Sequence, residues 1–93
     1  MAIQIRHDMD NNRFVAETAH GEATLEYSRA AADTLDYRRT YVPEADRGAG
    51  IGEALVLHAL DWAAENGFEV LPSCPFVRRI LEEHPARARA RIH

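Results

Sequence analysis

Val42-Pro43-Glu44-Ala45-Asp46-Arg47-Gly48-Ala49-Gly50-Ile51-Gly52-Glu53-Ala54-Leu55, residues 42–55, holds the end of a strand, a loop and the start of a helix. The run before it, Thr34 to Val42, is rich in β-branched and aromatic residues and reads as a strand that Pro43 ends. Glu44 to Asp46 form a short polar loop. Beyond it Ile51, Leu55, Ala59, Trp62 and Ala63 recur at helical spacing as a buried stripe, with Glu53, Asp61 and Glu65 on the other side. Asn66-Gly67 stops that helix, because Gly67 takes a left-handed conformation readily. Gly48, Gly50 and Gly52 leave no Cβ in the way of a ligand approaching the backbone. The first helical turn has N–H groups without intrahelical partners and carries partial positive charge. Together these read as an anion site suited to a pyrophosphate, with Arg47 adding a charged fork. The plainer reading is a tight turn with glycines for packing.

Working outward, Ile3 and Ile5 alternate with Gln4 and Arg6, a strand of about six residues. Asp8 to Asn12 is turn chemistry. Arg13 to Thr18 is a second strand, with Phe14 and Ala16 on one face and Val15 on the other; His20-Gly21 turns the chain into a third, Glu22 to Ser28. Turns this short join antiparallel neighbours. Arg29 to Asp33 reads as a connecting loop. After the central helix, Phe68 to Leu71 is a short apolar fifth strand, and Pro72-Ser73-Cys74-Pro75 leads into a second helix, Phe76 to Glu83, broken by His84-Pro85. Ala86 to Arg91 reads as a last short helix or part of a basic tail spanning 86–93. The fold class expected is α+β: a four-stranded antiparallel meander, a helix, a parallel fifth strand and a C-terminal helix.

The chain has 93 residues, which fits one domain, 1–93. Its single cysteine excludes a disulfide-stapled scaffold and points to a reducing cytoplasm. All eleven basic residues are arginine, so mechanisms that need a lysine, including a Walker loop, are excluded. The net charge of −4 is uneven: residues 1–77 carry −7 and residues 78–93 carry +3. An acidic body argues against a general nucleic-acid surface and leaves the arginine tail as a local anion contact or a solvated end. No stretch reads as a membrane span, since the most apolar one, Glu53 to Ala64, is short and holds His58 and Asp61.

The phosphate ligand is narrowed by spacing. A dinucleotide fingerprint needs Gly-x-Gly-x-x-Gly, and here the third glycine falls one residue early. The pattern that fits is Arg47-x-x-Gly50-x-Gly52 after a strand, which resembles the acetyl-CoA pyrophosphate loop of the GCN5-related N-acetyltransferases. Gly50-Ile51-Gly52 running into Ala54-Leu55-Val56, with Leu71-Pro72-x-Cys74-Pro75-Phe76-Val77, Arg13-Phe14 and His84-Pro85, extends the likeness over nearly the whole chain. It is similar to the small single-domain subfamily of NATD1-like and YjdJ-like proteins. The resemblance implies a reduced acetyltransferase fold, with only a turn between the first two strands where full-size members have helices. It implies that the fourth and fifth strands splay around the pantetheine arm. It implies that backbone groups of Tyr41 and Val42 pair with the pantetheine amides, and that Arg47, Gly48, Ala49, Gly50, Ile51 and Gly52 hold the pyrophosphate.

Cys74 ends the fifth strand just before a helix, where partial positive charge favours an anionic sulfur. The resemblance sets it near the thioester. It is then a nucleophile that accepts the acetyl group, or a wall of the thioester pocket; a small buried hydrophobe is the third reading. The strand-four positions where the subfamily often has a histidine and an acid hold Arg39 and Tyr41, so no general base is evident there; Thr40 remains to order a water. Arg39 is either an ordinary strand residue or a contact for an acidic substrate. Arg78 and Arg79 are either contacts for a cofactor phosphate or part of a solvated face. No His/Cys/Asp/Glu cluster has metal-ligand spacing along the chain, and His58 reads as a border residue of the helix. The expected activity is acetyl-CoA-dependent transfer of an acetyl group to an amine, on a small molecule or a protein lysine. The alternative is a CoA-binding module or sensor with little turnover.

Overall fold

The computed structural model describes residues 3–85. Strands β1 (Ile5–Asp8), β2 (Arg13–Thr18), β3 (Gly21–Ala31) and β4 (Thr34–Tyr41) precede helix α1 (Ile51–Glu65), strand β5 (Glu69–Leu71) and helix α2 (Pro75–Glu83). Single 3-10 turns occupy Met9–Asn11 and Glu44–Asp46. The strands lie in the order β1-β2-β3-β4-β5; the first four form an antiparallel meander, and β5 joins β4 in parallel after the α1 crossover. The fold is the expected α+β arrangement.

Both helices lie against one face of the sheet. Phe14, Leu25, Leu35 and Tyr37 from the strands meet Leu55, Val56, Ala59 and Ala63 of α1 and Val77 and Ile80 of α2 in a single core. The Tyr37 hydroxyl crosses that core to donate to the Ala59 carbonyl oxygen at 2.6 Å, so a buried polar group is satisfied and β4 is tied to α1. At the β1 end, His7 stacks on Phe14 with centroids 4.0 Å apart, meets the Trp62 edge and shares a 2.6 Å hydrogen bond between Nε2 and the Tyr27 hydroxyl.

Several local expectations are corrected. The first strand begins at Ile5, not Ile3, and runs to Asp8. Residues 29–31, expected in a loop, continue β3: Arg29 pairs with Leu35 and Ala31 with Thr34, so the chain reverses over Ala32-Asp33 alone. β4 ends at Tyr41, β5 begins at Glu69 and α2 begins at Pro75, each one residue from the expected boundary. Trp62 and Ile51 border the α1 stripe, while Val56 and Leu60 are buried in it. Val15 is buried although it faces away from the helices, in a row of register partners with Arg6, Thr24 and Tyr41. The expected last helix or tail, 86–93, lies outside the described residues.

The feature that positions the site is a bulge. Glu26 pairs with Arg39 and Tyr27 with Tyr37, so Arg38 is an extra residue on β4. A bulged strand bends and twists locally. Pairing between β4 and β5 ends at Asp36↔Leu71, just before it.

Candidate active site

Beyond Asp36 the two strands part. The Cys74 N–H still donates to the Tyr37 carbonyl at 3.0 Å, closing the inner end of the gap. From there to Val42 no strand pairs with the outer edge of β4 among the described residues. The edge faces a cavity of about 510 Å³ walled by the start of α1 and one side of α2, with Thr40, Tyr41, Val42, Gly48, Gly50, Ile51, Gly52, Phe76 and Ile80 among its lining.

The glycine loop does two different jobs. Gly48 and Gly50 sit at φ 88° and 83°, where a side chain is strained, yet a Cβ on either meets nothing within 4 Å. They are glycines for conformation, and their outer side is open. Gly50 is the N-cap of α1, and no side chain caps the helix. The first-turn N–H groups of Ile51, Gly52 and Glu53 thus begin the helix beside the cavity without a side-chain acceptor. Gly52 is buried: a Cβ there would stand 3.2 Å from the Phe76 ring and 3.3 Å from Val42 Cγ2. It is the glycine that lets α1 pass between β4 and α2.

Arg47 Nε donates to the Val42 carbonyl at 2.9 Å, and its guanidinium carbon lies 6.0 Å from the centre of the Tyr41 ring. This pins the loop to the end of β4 beside the cavity that Arg47 lines. Asp46, also on the lining, accepts from His20 Nδ1 at 2.9 Å. The hydrogen bond from His20, helped by that from Thr18, holds the Asp46 carboxyl below the usual carboxylate range.

At the closed end, Thr40 Oγ1 and Cys74 Sγ are 3.6 Å apart. Cys74 is 6% exposed and lies behind Thr40, off the lining of the cavity. Thr40 and Cys74, singled out separately in the sequence, are therefore neighbours. Ala49, expected in the loop site, is exposed and off the lining. Arg78, expected at a cofactor phosphate, does not line the cavity; its Nη2 donates to the Pro72 carbonyl at 3.3 Å. Its neighbour Arg79 lines the cavity, stacked on Phe76 at 4.9 Å and 3.8 Å from Glu83. The wall formed by Phe76, Arg79, Ile80 and Glu83 follows helical spacing, a pattern legible in sequence once α2 is known to face the loop.

The absence of metal-ligand spacing along the chain does not carry over to space. Ligand atoms of Glu53, Glu83 and His84 lie within 4.8 Å of one another, with His84 Nε2 2.8 Å from Glu53 Oε2. The hydrogen bond engages the Glu53 carboxylate at the mouth of the cavity. His58 is exposed on α1, its ring 6.0 Å from that of Phe14. Among the described residues no helix is long and apolar enough to cross a membrane.

The cavity fits an extended ligand with an anionic end. It offers unpaired β4 backbone and the apolar walls of Val42, Phe76 and Ile80, together with uncapped helix N–H groups and the arginines Arg47 and Arg79. Comparison with known proteins places the chain in a family. A family model described as GCN5-related N-acetyl-transferase matches residues 13–90. Protein NATD1 of Gallus gallus is 31% identical over 85 residues, covering 89% of this chain and 77% of that protein. The Homo sapiens protein NATD1 is 29% identical, covering 89% and 75%. The NMR solution structure of a GCN5-like protein from Staphylococcus aureus superposes with a TM-score of 0.70 at 18% identity, covering 97% of this chain and 87% of that one, a likeness of fold. The chain belongs to the GCN5-related N-acetyltransferase family, whose members transfer acyl groups from acyl-CoA to amines.

Proposed function

We propose that this protein binds acetyl-CoA in the cavity beside β4 and acetylates a primary amine. The observation that carries the reading is the uncapped start of α1 beside an open cleft: Gly50 leaves the first-turn N–H groups without a side-chain acceptor. Those groups and Arg47 hold the diphosphate. Backbone groups of Tyr41 and Val42 face the pantetheine amides, with the Val42 carbonyl shared with Arg47. Acetyl-CoA supplies an activated acetyl thioester. Thr40 and Cys74, at the closed end, border the reacting carbon and exclude water from it. The amine nitrogen bonds to the acetyl carbon, the carbon–sulfur bond breaks with its electron pair on sulfur, and the amine proton passes to that sulfur or to solvent.

Cys74 is read here as a wall of the thioester pocket or as a nucleophile that carries the acetyl group, and one experiment separates the two. The protein is incubated with radiolabelled acetyl-CoA and a panel of amines; intact-mass spectrometry then reads label on the protein. A nucleophile gives an acetyl adduct on Cys74, with turnover abolished in Cys74→Ala. A wall gives labelled amine and no adduct, with Cys74→Ala retaining turnover. A melting temperature unchanged by acetyl-CoA overturns the cofactor reading outright. The second reading, a CoA-binding module, is favoured by one observation: Arg39 and Tyr41 are exposed on the opposite side of β4 from Thr40 and offer no base to the closed end. It predicts a thermal shift without turnover.

A further inference from the structure

Outside the cleft, the strongest unassigned group is a set of charges on the face of the sheet away from the helices, beside the point where β4 and β5 part. Tyr37 is buried toward α1 and Thr40 faces Cys74. Between these two inward residues the bulge places two outward ones in succession, Arg38 and Arg39, both exposed. Asp36, one step before Tyr37, is outward as well, at the last paired position before the gap. Regular alternation would have turned one of the arginines inward; the extra residue is what gathers both on the bare face.

None of the three side chains has a partner among the described residues. Neither arginine makes a hydrogen bond, ion pair or ring contact among the described residues, although Glu26 is the register partner of Arg39. Asp36 Oδ1 is shut off from solvent and meets no donor among the described residues. A carboxylate oxygen without a donor is costly, and Asp36, only half-buried, keeps part of its carboxylate side chain open to one. By contrast, elsewhere on the same face Arg6 pairs with Glu17 and Glu22, and Arg13 with Asp8.

We infer that Asp36, Arg38 and Arg39 form the acceptor site, and that it takes an amine bearing an oxyanion a few bonds from the nitrogen. The inference rests on the acetyltransferase reading above and names the substrate class for it. Asp36 receives the ammonium next to the closed end of the gap. The arginine forks receive a carboxylate or phosphate, which they match in geometry. Residues 36 and 39 are at most about 10 Å apart along an extended strand, and two side chains reaching toward each other from such positions suit a short amino acid or phosphoamine. The cofactor then lies on the helix side of β4 and the acceptor on the bare side, meeting through the gap.

The test is acetyl transfer to matched pairs: β-alanine against ethylamine, γ-aminobutyrate against propylamine, phosphoethanolamine against ethanolamine. The expected result is at least a tenfold higher kcat/KM for the anionic member of the carboxylate or the phosphate pairs, the better pair naming the oxyanion. Arg38→Gln with Arg39→Gln abolishes that preference by raising the acceptor KM, with the KM for acetyl-CoA unmoved, and Arg39→Lys restores part of it. Asp36→Asn raises KM for both members of a pair. Equal use of the neutral members, or a preference that survives the double arginine variant, overturns the inference. The acetyl-CoA thermal shift is read on the same samples. If it is present and no preference is seen, the acceptor site alone falls; if it is absent, the cofactor reading falls and takes the site with it.

Discussion

Replacing Gly50 by alanine and by glutamate separates the conformation of the loop from its use. Gly50 sits at φ 83°, ψ 8°, and a Cβ there would meet no atom within 4 Å. Alanine therefore adds strain and no clash. A left-handed non-glycine residue costs about 1–2 kcal/mol, which for a domain of this size lowers Tm by about 4–8 °C per kcal/mol. Acetyl-CoA at a hundred times its Kd raises stability by about 2.7 kcal/mol, or about 11–22 °C by the same conversion. Scanning calorimetry with and without acetyl-CoA reads both quantities from one sample. Gly50→Ala is expected to melt lower yet keep the rise, because the N–H groups of residues 51–53 remain aimed at open space. Gly50→Glu is expected to melt lower and lose the rise, since its carboxylate repels a diphosphate or takes the same N–H groups itself. A full rise in Gly50→Glu would refute the anion site. A folded Gly50→Ala without a rise would refute the division of labour drawn from the open space at this Cβ.

Two further outcomes concern the frame of the site. Tyr37→Phe removes the buried bond to Ala59 and is expected to lower stability by about 0.5–1.5 kcal/mol, read as a shifted urea midpoint at constant slope; no shift would mean the bond contributes nothing net. His7 is held below its ordinary pKa, first by burial and then by the neighbouring His58, against a smaller opposite pull from Asp8. The unfolded chain, with an ordinary histidine near 6.5, then binds more protons below that pH. Stability from this group is complete above about pH 6.5 and is lost as pH falls toward the native value. Urea midpoints between pH 7.5 and 5.5, above the carboxylate range, should fall more steeply in the parent than in His7→Gln; parallel slopes would refute the assignment.

How far the sequence disclosed this depends on whether a feature is local. The glycine loop was legible because its signal, a strand stop, left-handed glycines and an uncapped helix start, lies within a dozen consecutive residues. The separate role of Gly52 was not, since it is set by Val42 and Phe76, which only the fold brings to either side of it. The same limit explains Arg78. Successive residues of a helix differ by about 100° around its axis, so telling which arginine lines the cavity requires the phase of α2 against the loop, and the phase puts Arg79 there. The length of β3 was hidden for another reason. Arg29, Ala30 and Ala31 have no apolar alternation, and what keeps them in the sheet is backbone pairing to Thr34 and Leu35. Glu53 and His84 are 31 residues apart and meet only because α1 and α2 pack together.

The bulge at Arg38 links these observations. An uninterrupted β4 would alternate from Tyr37 onward, sending residue 40 outward and away from Cys74. With one extra residue, Tyr37 and Thr40 both face the helices: the first locks β4 to α1, and the second meets Cys74 at the closed end. The same residue turns two arginines to the bare face and coincides with the end of β4–β5 pairing. One inserted position thus accounts for the residues at the inner end of the gap and for the charge on its far side. A sheet with helices on a single face can in this way present residues to both sides of one gap.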